Sequence, residues 1–264
     1  LPIEDVTVKY GDTTEMPYGL GTFGSRALAV GGPAVLNASK KVKDKLQKIA
    51  AHKLGVSSDK LILEDGVFSV IGQDDKTVTI KEAANQAYYG LGLPEGMEPG
   101  LDEINFFQPE ACTFCFGTYV CFVEVDIDTG KVKPLKFFLV DDAGKIINPM
   151  IVDGQTHGGA AMSVGQALYE NLVYSKDGQL LSGTLMDYTM LTAEDMPEFI
   201  TAHTETPTPL NPLGAKGMGE ATNTGAPPAV VNAVMDALQP LGIKHIQMPL
   251  TSEKVWRAIE EARH

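Results

Sequence analysis

Between Gly90 and Glu110 the chain carries Pro94, Gly96, Pro99, Gly100 and Pro109, a density of breakers that interrupts any helical or strand periodicity. Regular structure must therefore be built on either side of this stretch, which predicts a first part over residues 1–110 and a second over residues 111–264. With 264 residues, 44% of them hydrophobic, the chain can bury a substantial core as one large domain or two small ones. Its apolar runs are short and interrupted, well below the roughly 18 residues that a membrane-spanning helix requires.

In the first part, residues 6–10 read as a strand that enters the glycine-rich loop YGLGTFGSRALAVGGP. A long helix is predicted over residues 33–54, where Val35, Ala38, Val42, Leu46 and Ile49 recur at helical spacing and the lysines of residues 40–48 take the solvated face. The segment LILEDGVFSVIG places two apolar runs about Asp65-Gly66, a hairpin signal, and is followed by a strand at 77–80 and a helix at 81–89. In the second part, TYVCFVEVDIDTGKVKPLKFFLVDD predicts two strands joined at Asp128-Thr129-Gly130, apolar enough to be buried on both faces. A Gly- and Ala-rich helix follows at 150–170, close-packed against another element or a ligand, then a hairpin at 171–182 and a strand near 199–203. A Pro/Gly loop at 206–225 precedes a helix at 227–238 and a last helix from Ser252. The expected class is α+β, with mixed sheets flanked by helices in two packed subdomains.

The formal net charge of −13 argues against a nucleic-acid binder, which needs clustered cations to neutralise phosphates. Three cysteines, Cys112, Cys115 and Cys121, cannot all pair within the chain and fit a reducing compartment, so a cytoplasmic location is expected. The Cys112-x-x-Cys115 pair has no second pair with which to close a zinc or iron–sulfur site. We therefore read all three as strand cysteines in a core and assign no metal ligand. The chain opens on Leu1 without a charged-then-apolar leader, and it reads as part of something larger.

Three segments can carry chemistry. In NPLGAKGMGEATNTGAPPAVVNAVMDAL, Gly214, Gly217, Gly219 and Gly225 bracket Lys216 and Glu220 ahead of a helix. Backbone N–H groups bared by glycine can face an anion or a cofactor oxygen, and the helix start adds its dipole. Glu220 would project into the same place, and in a dry pocket a carboxylate is suited to take up a proton. A structural turn whose Glu caps the following helix accounts for the same residues, and spacing alone does not choose between the two. The first loop contains Gly19-x-Gly21-x-x-Gly24, but it lies several residues beyond its strand and lacks the ribose-binding acid of a dinucleotide fold. A phosphate- or pterin-binding loop using Thr22, Gly24, Ser25 and Arg26 meets no such objection, nor does an ordinary surface turn. In DDAGKIINPMIVDGQTHGGAAMSVGQALYEN, the amides of Asn148 and Gln155 can read the edge of a heterocycle. His157 has no carboxylate-rich cluster around it and reads as a structural histidine.

Taken in order, GLGTFGSRALAVGGPAV, VDDAGKIINPMIVDGQTHGG and NPLGAKGMGEATNTGAPPAVVNAVMDAL resemble the molybdopterin-binding large subunit of the xanthine dehydrogenase and aldehyde oxidase family. Within it they are most similar to the aerobic carbon monoxide dehydrogenase type, and the likeness covers nearly the whole chain as the C-terminal portion of such a subunit. The resemblance implies an enzyme that oxidises an aldehyde or N-heterocycle with oxygen from water, with Glu220 as the base beside molybdenum. It implies that Thr22, Phe23, Gly24, Ser25 and Arg26, then Asp142, Ile147, Asn148 and Gln155, then Lys216, Gly217, Met218 and Gly219 wrap a molybdopterin, in its cytosine dinucleotide form. Partner chains would carry the N-terminal half of the molybdenum subunit, the iron–sulfur clusters and FAD. Ala143 stands where carbon monoxide dehydrogenases carry Cys. Oxidation of carbon monoxide and a non-catalytic molybdopterin-binding or assembly role are the alternatives.

Overall fold

A computed structural model describes residues 1–16 and 18–264. It is a mixed α/β chain with two three-stranded sheets and flanking helices. Two units result, one from Leu1–Gly21 and Val30–Gln108, the other from Thr22–Ala29 and Pro109–His264.

The first unit is organised by helix α1, Gly32–Leu54, which buries Leu46, Ile49, Ala50 and Ala51 while Lys40, Lys41, Lys43 and Lys48 stay exposed, as the periodicity requires. Gly55, at φ +68°, ends it by donating to the carbonyls of Ala51 and His52. Strands β1 (Leu61–Glu64), β2 (Val67–Val70) and β3 (Gln73–Thr79) form an antiparallel meander whose Phe68, Val70 and Val78 enter the same core. Helix α2, Ile80–Tyr89, starts at a capping box: the Glu82 N–H donates to the Thr79 hydroxyl at 3.1 Å, and the Thr79 N–H donates to the Glu82 carboxylate at 2.9 Å. The strand expected over residues 6–10 does not form. Val6, Val8 and Tyr10 are exposed and no strand among the described residues lies beside them, so the alternation has nothing there to pair with.

The second unit is built on β4 (Phe116–Val125), β5 (Val132–Asp142) and β6 (Glu198–Thr204), with β4 and β5 antiparallel and β5 and β6 parallel. Helices α3 (Pro149–Leu168) and α4 (Ala221–Leu238) pack on one face around Phe137, Leu139, Val164, Val230 and Val234, with α5 (Ser252–Arg263) adding Val255 and Ile259. The glycines explain how closely these elements approach. A Cβ on Gly225 would lie 2.3 Å from the Tyr119 ring, one on Gly159 would lie 2.9 Å from Thr222 Cβ, and one on Gly130 would lie 2.2 Å from the Ser252 carbonyl oxygen.

Several expectations need correction here. β4 and β5 are covered on one face only, because both helices lie on the same side, and Val120, Phe122 and Val140 are exposed on the other. The hairpin at 171–182 reduces to a single bridge, Tyr174 with Leu180. Helix α4 begins at Ala221, six residues ahead of Pro227, so Pro227 and Pro228 lie inside it. Only Cys121 is a buried strand cysteine; Cys112 is exposed and Cys115 half-buried, and both precede β4.

Candidate active site

The end of β5 fixes the surroundings of the glycine-rich loop. Asp141 and Asp142 are adjacent and both fully buried, at 0% and 1% exposure, so each must find its donors within the protein. Asp141 accepts the Tyr119 hydroxyl on one oxygen and the hydroxyls of Thr156, at 3.1 Å, and Thr222, at 3.5 Å, on the other. It thereby ties β5 to β4, α3 and α4. Burial first, and then the bond to Asp141, push the Tyr119 phenol well above its ordinary range. Asp142 accepts the Gly144 N–H and the Lys216 ammonium, both at 3.0 Å, and the hydroxyls of Thr204 at 2.9 Å and Thr206 at 2.8 Å. Burial alone would raise its carboxyl, but these four donors outweigh it and hold Asp142 well below the usual carboxylate range.

The same ion pair steers the loop. Backbone bonds from Lys145 N–H to the Gly214 carbonyl, 2.9 Å, and from Lys216 N–H to the Ala143 carbonyl, 2.8 Å, lay residues 214–216 alongside the end of β5. Gly144 and Gly214, at φ +67° and +69°, adopt the left-handed conformation that this crossing needs. Lys216 then points inward to Asp142 with its ammonium 4.6 Å from the centre of the Phe116 ring. Beyond it, the chain turns outward and delivers Glu220 at the first position before α4.

At that point three distant segments meet. Ser25 accepts the Glu220 N–H at 2.8 Å and its own hydroxyl lies 3.3 Å from Glu220 Oε2. A Cβ on Gly217 would lie 2.6 Å from the Ser25 carbonyl oxygen, so glycine is what lets the two loops touch. A Cβ on Gly219 would lie 3.4 Å from Ser25 Oγ and 3.5 Å from Gln155 Oε1, which brings α3 into the same cluster. Glu220 is exposed, so the dry pocket expected around it is not formed by the described residues, no element of which closes over the carboxylate. Nor does Glu220 cap α4: it occupies the capping position but its side chain makes no capping bond, being turned toward Ser25 instead.

The remaining expected residues separate into those that face outward and those already engaged. Thr22, Phe23 and Gly24 are exposed beside Ser25, and Arg26, half-buried, lies 4.9 Å over the Phe23 ring with no ion pair among the described residues. Gln155 is exposed. Ile147 is exposed, and Asn148 caps α3 by accepting the Ile151 N–H at 3.4 Å; neither hydrogen-bonds to the Ser25 and Glu220 pair. Asp142 and Lys216 are committed to each other, and Met218 is buried in a small core with Ala143, Val152 and Ala221. His157 is exposed and stacks on Phe199, with ring centres 5.5 Å apart. Two features went unread in the sequence. One is Asp141 with its three hydroxyls. The other is His203, 2.7 Å from Asp153, which holds that carboxyl below its ordinary range; only tertiary proximity reveals either.

An exposed carboxylate beside an amide and glycine backbones, with a guanidinium next in the chain to its Ser25 partner and a buried polar scaffold beneath, is an arrangement able to take up a polar ligand. The model of the molybdopterin cofactor-binding domain matches residues 1–197. The chain belongs to that family. It is 42% identical over 261 residues to the carbon monoxide dehydrogenase large chain of Hydrogenophaga pseudoflava, covering 99% of this chain and 32% of that one. It is 40% identical over 259 residues to the nicotine 6-hydroxylase large subunit of Paenarthrobacter nicotinovorans, covering 98% and 32%. Among solved structures, reconstituted carbon monoxide dehydrogenase from Oligotropha carboxidovorans superposes with a TM-score of 0.92 at 40% identity, over 99% of this chain and 32% of that one. The chain thus spans about a third of the length of the relatives it matches.

Proposed function

We propose that this chain forms part of the molybdenum site of a multi-subunit hydroxylase that oxidises an aldehyde or N-heterocycle with water as the oxygen source. The observation that carries this reading is the exposed Glu220 carboxylate, held by Ser25 where three glycine-rich segments converge. Oε2 is engaged by the Ser25 hydroxyl, whereas Oε1 has no partner among the described residues and is the oxygen free to take a proton from the water-derived nucleophile. The residues fit a molybdopterin: Thr22, Phe23 and Gly24 offer backbone and hydroxyl donors, Arg26 offers a guanidinium without an ion pair among the described residues for phosphate, and Gln155 and Gly219 offer an amide and exposed backbone. When bound, molybdenum in its pterin supplies the sink for the two electrons of the oxidation. We assign the pterin to its cytosine dinucleotide form, and iron–sulfur clusters, FAD and the N-terminal half of the molybdenum subunit to partner chains.

Oxidation of carbon monoxide is the second reading, favoured by the 42% identity to a carbon monoxide dehydrogenase large chain. The 40% identity to a nicotine hydroxylase supports the heterocycle. The test is metal and pterin analysis of the natively purified complex, followed by turnover of carbon monoxide and of nicotine by wild type and Glu220→Gln. Loss of a positioned base should lower kcat by about 10²–10⁴-fold with molybdenum content unchanged. A complete, folded complex without molybdenum or pterin, prepared from molybdate-supplied cells, would overturn the proposal in favour of a non-catalytic role.

A further inference from the structure

Ser25 occupies a backbone conformation that a side chain makes unfavourable. Its φ is +56°, in the left-handed region, and Gly24 beside it has the same value. Glycine at position 25 would adopt this conformation without the clash between Cβ and carbonyl that every L side chain suffers there. The opposing loop makes a matching concession, because the Ser25 carbonyl and Cβ lie 2.6 and 2.7 Å from where a Cβ on Gly217 would be. A strained backbone and an obligatory glycine thus surround one hydroxyl, and the hydroxyl is what glycine could not supply.

That hydroxyl makes one bond as donor and one as acceptor, and both go to one residue 195 positions away. Ser25 Oγ accepts the Glu220 N–H and donates to Glu220 Oε2, closing a ring through the Glu220 backbone, side chain and hydroxyl. An exposed glutamate otherwise rotates about three side-chain torsions. The bond to the N–H fixes the backbone from which those torsions start and the bond to Oε2 acts on the torsions themselves, so that Oε2 is turned to Ser25 while Oε1 has no partner among the described residues.

We infer that Ser25 is a positioning residue for the Glu220 carboxylate, a role distinct from contact with the cofactor. The inference rests on Glu220 being the base of the proposed reaction. Holding a reacting group in one geometry before substrate arrives lowers the barrier by removing a search from the rate-determining step.

Two variants separate the hydroxyl from the fold. Ser25→Gly removes the hydroxyl and relieves the left-handed strain, whereas Ser25→Ala removes the hydroxyl and keeps the strain. In the assembled holoenzyme, with carbon monoxide and nicotine as probe substrates, both should lower kcat on the order of ten-fold, the equivalent of one lost charge-assisted hydrogen bond. KM and molybdenum content should stay at wild-type values. Ser25→Gly should melt at or above the wild-type temperature and Ser25→Ala below it, so lost activity will not track lost stability. In a Glu220→Gln background neither variant should lower kcat further, because the hydroxyl acts through that carboxylate. A crystal structure of Ser25→Gly should show the Glu220 side chain away from its tethered position. Wild-type kcat in Ser25→Gly with the carboxylate still in place would overturn the inference, and so would a fall in kcat that follows loss of molybdenum. Should Glu220→Gln itself retain wild-type turnover, the base assignment fails. The crystal structure would then still decide whether the hydroxyl holds the side chain.

Discussion

Replacing Lys216 with Met removes a charge from the protein interior while keeping most of the aliphatic stem. The ammonium is 3.0 Å from Asp142 Oδ1, and the two side chains are 9% and 0% exposed. Deleting one member of a buried pair costs about 3–5 kcal/mol, because the other is left charged without compensation. Asp142 would retain the Gly144 N–H and the two threonine hydroxyls, so the lower end, about 3 kcal/mol, is expected. Urea unfolding at pH 7 reads this directly. The pH dependence supplies a second check. The folded-state carboxyl of Asp142 lies below its ordinary value of 3.8, so its contribution is complete above that value and is lost as pH falls from it toward the folded-state value. Removing Lys216 removes part of the cause of that lowering. The gap between wild type and Lys216→Met should therefore hold down to about pH 4 and narrow as pH falls further, toward the folded-state value. A cost below about 1 kcal/mol at pH 7, in the range of an exposed pair, would refute the reasoning. So would a gap that stays constant on acidification.

Gly225→Ala would set a methyl group 2.3 Å from Tyr119 Cε2 and 2.5 Å from Cδ2, displacing the ring that donates to Asp141. The expected penalty is about 1–3 kcal/mol, a fall of about 2–4 °C in Tm for each kcal/mol, and an unchanged Tm would mean that α4 does not press on β4. Thiol reactivity reports the same sheet. Burial pushes the Cys121 thiol up to about 12 and also raises Cys115, whereas Cys112 is exposed. Since the thiolate is the nucleophile, iodoacetamide at pH 8 should modify Cys112 first and spare Cys121 in the folded protein, as peptide mass spectrometry would show. Rapid labelling of Cys121 would mean that the covered face of β4 opens readily.

Elements whose apolar residues meet a partner along the whole length were legible from sequence. The α1 periodicity, the turn at Asp65-Gly66 and the pairing of β4 with β5 are cases in which local pattern and tertiary packing agree. The start of α4 is the opposite case. Pro227 and Pro228 read as a helix beginning because proline is most at home in the first turn. Here the preceding turn is helical for tertiary reasons: Ala221 and Thr222 are buried, and the Thr222 hydroxyl reaches Asp141. The candidate site stood out in the sequence as three segments and one acid. Its geometry did not, because the Ser25–Glu220 bond spans 195 residues and nothing local to either residue encodes it. The pairing of Lys216 with Asp142 was hidden for a related reason, since a lysine in a glycine-rich loop resembles an anion-binding residue until its buried partner is seen.

The three acids of this region differ in what their oxygens have left to offer. Asp141 and Asp142 each divide three or four donors between two oxygens, sealed from water, and serve to weld β5 to its neighbours. Such a carboxylate cannot accept a substrate proton without surrendering a bond that holds the fold. Glu220 is their converse: one oxygen engaged by a single hydroxyl, the other free, the side chain exposed, yet the backbone anchored at a helix start. The buried pair anchors the loop at Lys216, and the Ser25 hydroxyl anchors it again at the Glu220 N–H, just ahead of the exposed side chain. A free oxygen and structural commitment thereby fall to different carboxylates, and the glycines of residues 214–219 join the one to the other.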